Sequence, residues 1–119
     1  MKREPKIFLQ HIIESIGIIE KHLAGISMDN FLQNVTIQDA VVRRIEIIGE
    51  AIKNLPINFR EQYPNVNWRG KAGMRDMVIH EYFGVDLNLV WKTTQELSNF
   101  KQEISKILDN LDGQETIKF

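Results

Sequence analysis

The stretch PKIFLQHIIESIGIIEKHLAG, residues 5–25, decides the fold class. Phe8, Ile12, Ile16, Ile19 and Leu23 recur at intervals of three and four, which places them on one face of an α-helix. Pro5 suits the first turn, where a missing N–H costs nothing, and Gly25 suits the end. Outward from this stretch the same period returns. Ser27-Met28-Asp29-Asn30 reads as a loop, and Thr36-Ile37-Gln38-Asp39 as an N-terminal cap with an acid in the first turn, where the helix dipole favours it. A second helix then turns Val41, Ile45, Ile48, Ile52 and Leu55 inward until Pro56 stops it. Residues 57–68, with Pro64 and three asparagines, form a connector with a short helical turn around 59–62. A third helix is predicted from near Arg69 or Ala72 to about Tyr82, with Gly84 as terminator. Asp86 is placed to cap a fourth, whose inner stripe is Leu87, Val90, Trp91, Thr94, Leu97, Ile104, Leu108 and Leu111. Gly113 is expected to end it, ahead of a loose tail. Four helices with short connections, and no strand-period run or internal repeat, predict an all-α antiparallel four-helix bundle.

Composition bounds the function. The 119 residues suit one domain, read here as 1–119, with 43% apolar and 26% charged residues. Without cysteine there is no disulfide framework and no thiolate metal site. No apolar run approaches the roughly 20 residues that span a bilayer, and no signal-peptide pattern is seen, so no membrane association and a cytoplasmic location are expected. The net charge of −1 argues against a protein that coats nucleic acid through bulk phosphate contacts. It leaves room for a small site that engages a few phosphates. Between Asp39 and Arg75 the balance is positive, Arg43, Arg44, Lys53, Arg60, Arg69, Lys71 and Arg75 against Asp39, Glu46, Glu50 and Glu61. On charge alone that span reads as a solvated surface.

Chemistry concentrates in WRGKAGMRDMVIHEYFGVD, residues 68–86. A cation, a carboxylate, an imidazole and a phenol fall within eight residues: Arg75, Asp76, His80 and Tyr82. Asp76 and His80 are four apart and share a helix face, so the carboxylate can fix the imidazole tautomer and stabilise the imidazolium. Arg75 and Tyr82, seven apart, share another. Arg75 and His80 are five apart, about 140° around an ideal helix. Spacing therefore does not aim these two at one point; either the helix unwinds near His80 or a second subunit completes the site.

Arg75, four residues, His80, one residue and Tyr82 resemble the Arg-x4-His-x-Tyr string of the HepT-like toxins in the HEPN superfamily. Gly73-Met74 before it, Phe83-Gly84-Val85-Asp86 and Val90-Trp91 after it, and upstream residues 44–51, Tyr63-Pro64 and Trp68-Arg69 are similar too. The resemblance covers about residues 41–91. A bare Arg-x4-His arises often by chance, whereas the longer string is specific. The resemblance implies a HEPN-like bundle that forms a homodimer, with two motifs facing one cleft, and metal-independent endoribonuclease activity with no cofactor. It further implies a minimal nucleotidyltransferase antitoxin as partner, which transfers AMP to the matching tyrosine, here Tyr82. On this reading His80 is general acid or base in attack by the RNA 2′-hydroxyl. Arg75 clamps the phosphate and Asp76 orients. Lys71 and Arg69 are candidate RNA-backbone contacts because they just precede the motif.

Each residue also has a plainer reading. Arg75 with Asp76 is by itself a surface ion pair, and a lone histidine like His80 is more often structural; the surrounding string moves both to function. Tyr82 alone reads equally as a half-buried aromatic. His11 and His22 lie about 16 Å apart along a helix, too far to share a metal ion, and read as structural. Gly70 and Gly73 lack the context of a phosphate loop, and Gly73 is assigned to close packing. Trp68 and Trp91 read as core or interface, and Arg43 and Arg44 as a solvated face. A rival of a different class is a catalytically inactive HEPN module that serves a nucleotidyltransferase as binding or regulatory subunit.

Overall fold

The computed structural model describes residues 4–80 and 86–117, with the backbone alone for 77–80 and 114–117. Among them are six helices and no strand: α1 Pro5–Leu23, α2 Met28–Gln33, α3 Val35–Asn54, α4 Ile57–Glu61, α5 Trp68–His80 and α6 Leu87–Ile117. The four long ones are the expected all-α bundle. Lys6 pairs with Asp112 and Glu20 with Lys101, both at 2.7 Å, so α1 and α6 run antiparallel. Trp68 meets Phe100 while Met74 lies near Thr93 and Glu96, so α5 and α6 also run antiparallel.

The core follows from the apolar stripes. Leu9, Ile12, Ile16 and Ile19 of α1, Val41, Ile45, Ile48 and Ile52 of α3, and Val90, Leu97, Phe100 and Ile104 of α6 are all buried. Leu9 opens the buried α1 stripe, while Phe8 and Leu23, expected in it, are half-buried. Each such side chain contributes about 1.5–3 kcal/mol on burial. An exposed ion pair such as Lys101 with Glu20 contributes about 0–1 kcal/mol. The stripes therefore hold the bundle, and the surface pairs refine its register.

The ends of the elements depart from expectation in four places. Residues 28–30, expected in a loop, open α2: Ser27 Oγ accepts from the Asn30 N–H at 3.2 Å, and Phe31 anchors the turn against Trp91, ring centroids 5.4 Å apart. Six residues are too few to show a period. The cap of α3 is Asn34, whose Oδ1 accepts from the Ile37 N–H at 3.1 Å, rather than Thr36. The α5 helix begins at Trp68, where Asn67 Oδ1 accepts from the Gly70 N–H at 3.0 Å. The α6 helix runs through Gly113 to Ile117. Glycine costs a helix interior only about 1 kcal/mol against alanine, and among the described residues only Gly25 takes a positive φ, 73°, where α1 ends. Asp86 does cap α6, accepting from Asn88 and Leu89, and the turn at 59–62 is α4. Gly84 as terminator of α5, and the end of the chain beyond 117, lie outside the described residues.

Candidate active site

The site is built where α3 crosses α5. A Cβ placed on Gly49 would lie 2.5 Å from Arg75 Cβ and 3.2 Å from the Ala72 carbonyl oxygen, so only glycine allows this approach. Gly73, the glycine assigned to close packing from sequence, faces open space instead. Past the crossing, Glu50 and Lys53 of α3 stand opposite Arg75 and Asp76 of α5. Arg75 Nε forms an ion pair with Glu50 Oε2 at 3.0 Å, Lys53 Nζ donates to Asp76 Oδ1 at 3.2 Å, and Arg75 Nη1 lies 3.8 Å from that same oxygen. The quartet alternates in sign and is partly exposed, with the Arg75 side chain 34% accessible and the Asp76 side chain 50%. Pairs this wet add little stability. Their effect is to fix where the guanidinium and carboxylate point.

Arg75 and Asp76 were legible in the sequence as a pair; Glu50 and Lys53 were not. Three apart on one helix, they looked like solvated charges beside an apolar stripe, and nothing in a linear reading opposes them to α5. The assignment of Asp76 to orient His80 acquires a competitor, since Lys53 already donates to its Oδ1. His80 follows one turn later on α5, its side chain outside the described residues, as is all of Tyr82. The described part of α5 is helical through His80, where the spacing sets Arg75 and His80 about 140° apart.

The other sequence candidates separate. Arg69 lines a groove together with Asp76 and Lys53. Lys71 turns toward α6, its ammonium 5.5 Å from the Phe100 ring centroid, so the structure does not bring it together with Asp76. Arg75 itself borders a second recess, about 340 Å³, with Phe8, His11, Arg43, Glu46 and Asn54. His11, read as structural, is thus exposed beside the motif arginine. Among the described residues no three of His, Cys, Asp and Glu converge as a metal site, and no helix is long and apolar enough to cross a membrane. The arrangement offers a partly exposed guanidinium, paired with Glu50 through Nε and with Asp76 through Nη1, one turn before an imidazole in sequence.

The family profile described as ribonuclease HepT-like matches residues 12–107. The chain is 48% identical over 120 residues to a Methanocaldococcus jannaschii protein named "Gamma-glutamylcyclotransferase and putative RNase". That match takes in all of this chain and 54% of the relative, so the chain spans about half the length of that protein. It is 44% identical over 108 residues to "Probable ribonuclease HepT" of Thermococcus cleftensis, covering 90% of this chain and 98% of the relative. It is 40% identical over 107 residues to a "Putative RNase" of Caldanaerobacter subterraneus subsp. tengcongensis, covering 89% and 96%. No solved structure matches the chain.

Proposed function

The chain belongs to the HepT-like ribonuclease family, and on that premise we propose that it is a metal-independent endoribonuclease toxin, silenced when a nucleotidyltransferase antitoxin transfers AMP to Tyr82. The observation that carries the reading is the guanidinium of Arg75, held by Glu50 at 3.0 Å on the helix that also bears His80. RNA supplies its own nucleophile. As a base removes the 2′-hydroxyl proton, the oxygen attacks phosphorus, the bond to the 5′-oxygen breaks, and an acid protonates that leaving oxygen. A cyclic phosphate and a free 5′-hydroxyl result. Imidazole suits both proton transfers near neutral pH. Arg75 meets the charge that builds on the phosphoryl oxygens through its terminal nitrogens. With Arg75 and His80 on different faces of one helix, two chains sharing a cleft supply the convergence that one chain lacks. AMP on Tyr82 adds bulk and negative charge two residues from His80, which repels RNA.

The test is expression of the chain without any partner, beside His80→Ala, with growth and RNA integrity as readouts. Arrest and degraded RNA with the unsubstituted chain alone are expected, as is cleavage by the purified protein in excess chelator. Equal cleavage by His80→Ala would sink the assignment. Tyr82→Phe should stay toxic when the nucleotidyltransferase is co-expressed. Unmodified protein from that co-expression, shown by intact mass, would remove the AMP mechanism.

A further inference from the structure

Between α4 and the first half of α5 lies a groove of about 820 Å³, a size that holds ligands larger than a single phosphate. Its floor is apolar, formed by Pro64, Val66 and Ala72, with Ile57, 67% exposed, on its wall. Cations stand around that floor. Lys53 is matched by Asp76 at 3.2 Å, which leaves Arg60 and Arg69 against Glu61, two positive charges to one negative. Among the described residues neither Arg60 nor Arg69 joins an ion pair. Arg60 Nε is buried and meets no acceptor among the described residues, so a ligand in the groove would meet the rest of its guanidinium.

The groove also has a direction. Asp76 is part of its wall, and Arg75 Nη1 lies 3.8 Å from Asp76 Oδ1. Arg75 lines the smaller recess rather than this groove, and Asp76 lies between the two, so a strand whose scissile phosphate rests on Arg75 has the groove within reach past Asp76. We propose that this groove is a subsite for one unpaired nucleotide of the RNA beside the cleavage point, its base on the apolar floor and its phosphate on Arg60 and Arg69. The inference rests on the ribonuclease reading. An apolar floor beside guanidinium groups suits a splayed base, because only an unstacked base exposes its faces, and guanidinium planes both stack and bind phosphate. A paired base cannot reach the floor, so the groove selects single-stranded RNA.

The experiment measures fluorescence anisotropy of a short labelled single-stranded RNA with the full chain carrying His80→Ala, which removes cleavage. Ile57→Glu and Arg69→Gln, both at exposed positions, are added singly. Each should weaken binding about tenfold, and Arg69→Gln should lower the salt dependence by about one phosphate contact. Lys101→Gln, which removes the same charge from the α1–α6 face, should leave binding within about twofold. Binding unchanged by both groove variants, or weakened equally by Lys101→Gln, overturns the subsite while the ribonuclease reading stands. Equal affinity for the same sequence as a duplex does so as well. A groove variant that dissociates a dimer while keeping its RNA affinity assigns the surface to protein and overturns it too. No RNA binding at all by the His80→Ala chain brings down both readings.

Discussion

Arg75 shows how little energy a decisive contact carries. Its ion pair with Glu50 is partly solvated, so Glu50→Gln is expected to change stability by less than about 1 kcal/mol. The same substitution frees the guanidinium to rotate, and misplacing a positioning group by about an ångström costs up to about a hundredfold in rate. We expect kcat for RNA cleavage to fall about tenfold with KM nearly unchanged. A fall in KM with kcat unchanged would show that Glu50 merely repels substrate. Gly49 acts by absence. Alanine there meets Arg75 Cβ and a backbone oxygen, atoms that cannot swing aside. Its better helix propensity, about 1 kcal/mol, is opposed by an overpacking cost of about 1–3 kcal/mol. Gly49→Ala should therefore lower the melting temperature by a few degrees and displace Arg75, with activity falling further than stability. A variant with unchanged melting temperature and activity would mean that the two helices can part freely.

At the level of elements, what could be read from sequence depended on length and on caps. The α1, α3 and α6 helices run for 19, 20 and 31 residues, long enough for the three-and-four spacing to repeat. The α2 helix rests on a serine cap and one buried phenylalanine, and a signal so short reads as a loop. At the start of α3 two residues compete, and Asn34 wins over Thr36 because it stands three residues ahead of an N–H that has no helical partner. Asp86 was identifiable because its short side chain can accept from exposed N–H groups just ahead of an apolar stripe. It satisfies two N–H groups at the start of α6, at 3.0 and 3.3 Å. Asp86→Ala should cost about 1 kcal/mol of stability by denaturant unfolding. Because α6 starts only seven residues after His80, the same variant should reduce activity. A stability loss below experimental error would show that the cap is replaced by solvent.

Across the whole molecule, the separation of Arg75 and His80 around α5 makes the composite site testable by mixing. If Arg75 of one chain works with His80 of another, a dimer of Arg75→Ala and His80→Ala chains keeps one intact site. Co-refolding the two inactive proteins in equal amounts should then restore about a quarter of the unsubstituted activity, half the dimers carrying one of two sites. If the pair acts within one chain, mixing restores nothing. The sequence by itself determined the four long helices, the apolar faces they bury, and the string from Arg75 to Tyr82, because period, caps and motif spacing are local properties of consecutive residues. Only the tertiary structure decided that Glu50 and Lys53 oppose Arg75 and Asp76, that Gly49 rather than Gly73 is the point of closest approach, and that Arg69 and Lys71 face different neighbours. Those relations depend on the crossing of α3 with α5 and the packing of α5 on α6. A crossing is set by how whole side-chain surfaces interlock, which no single stretch of the chain encodes.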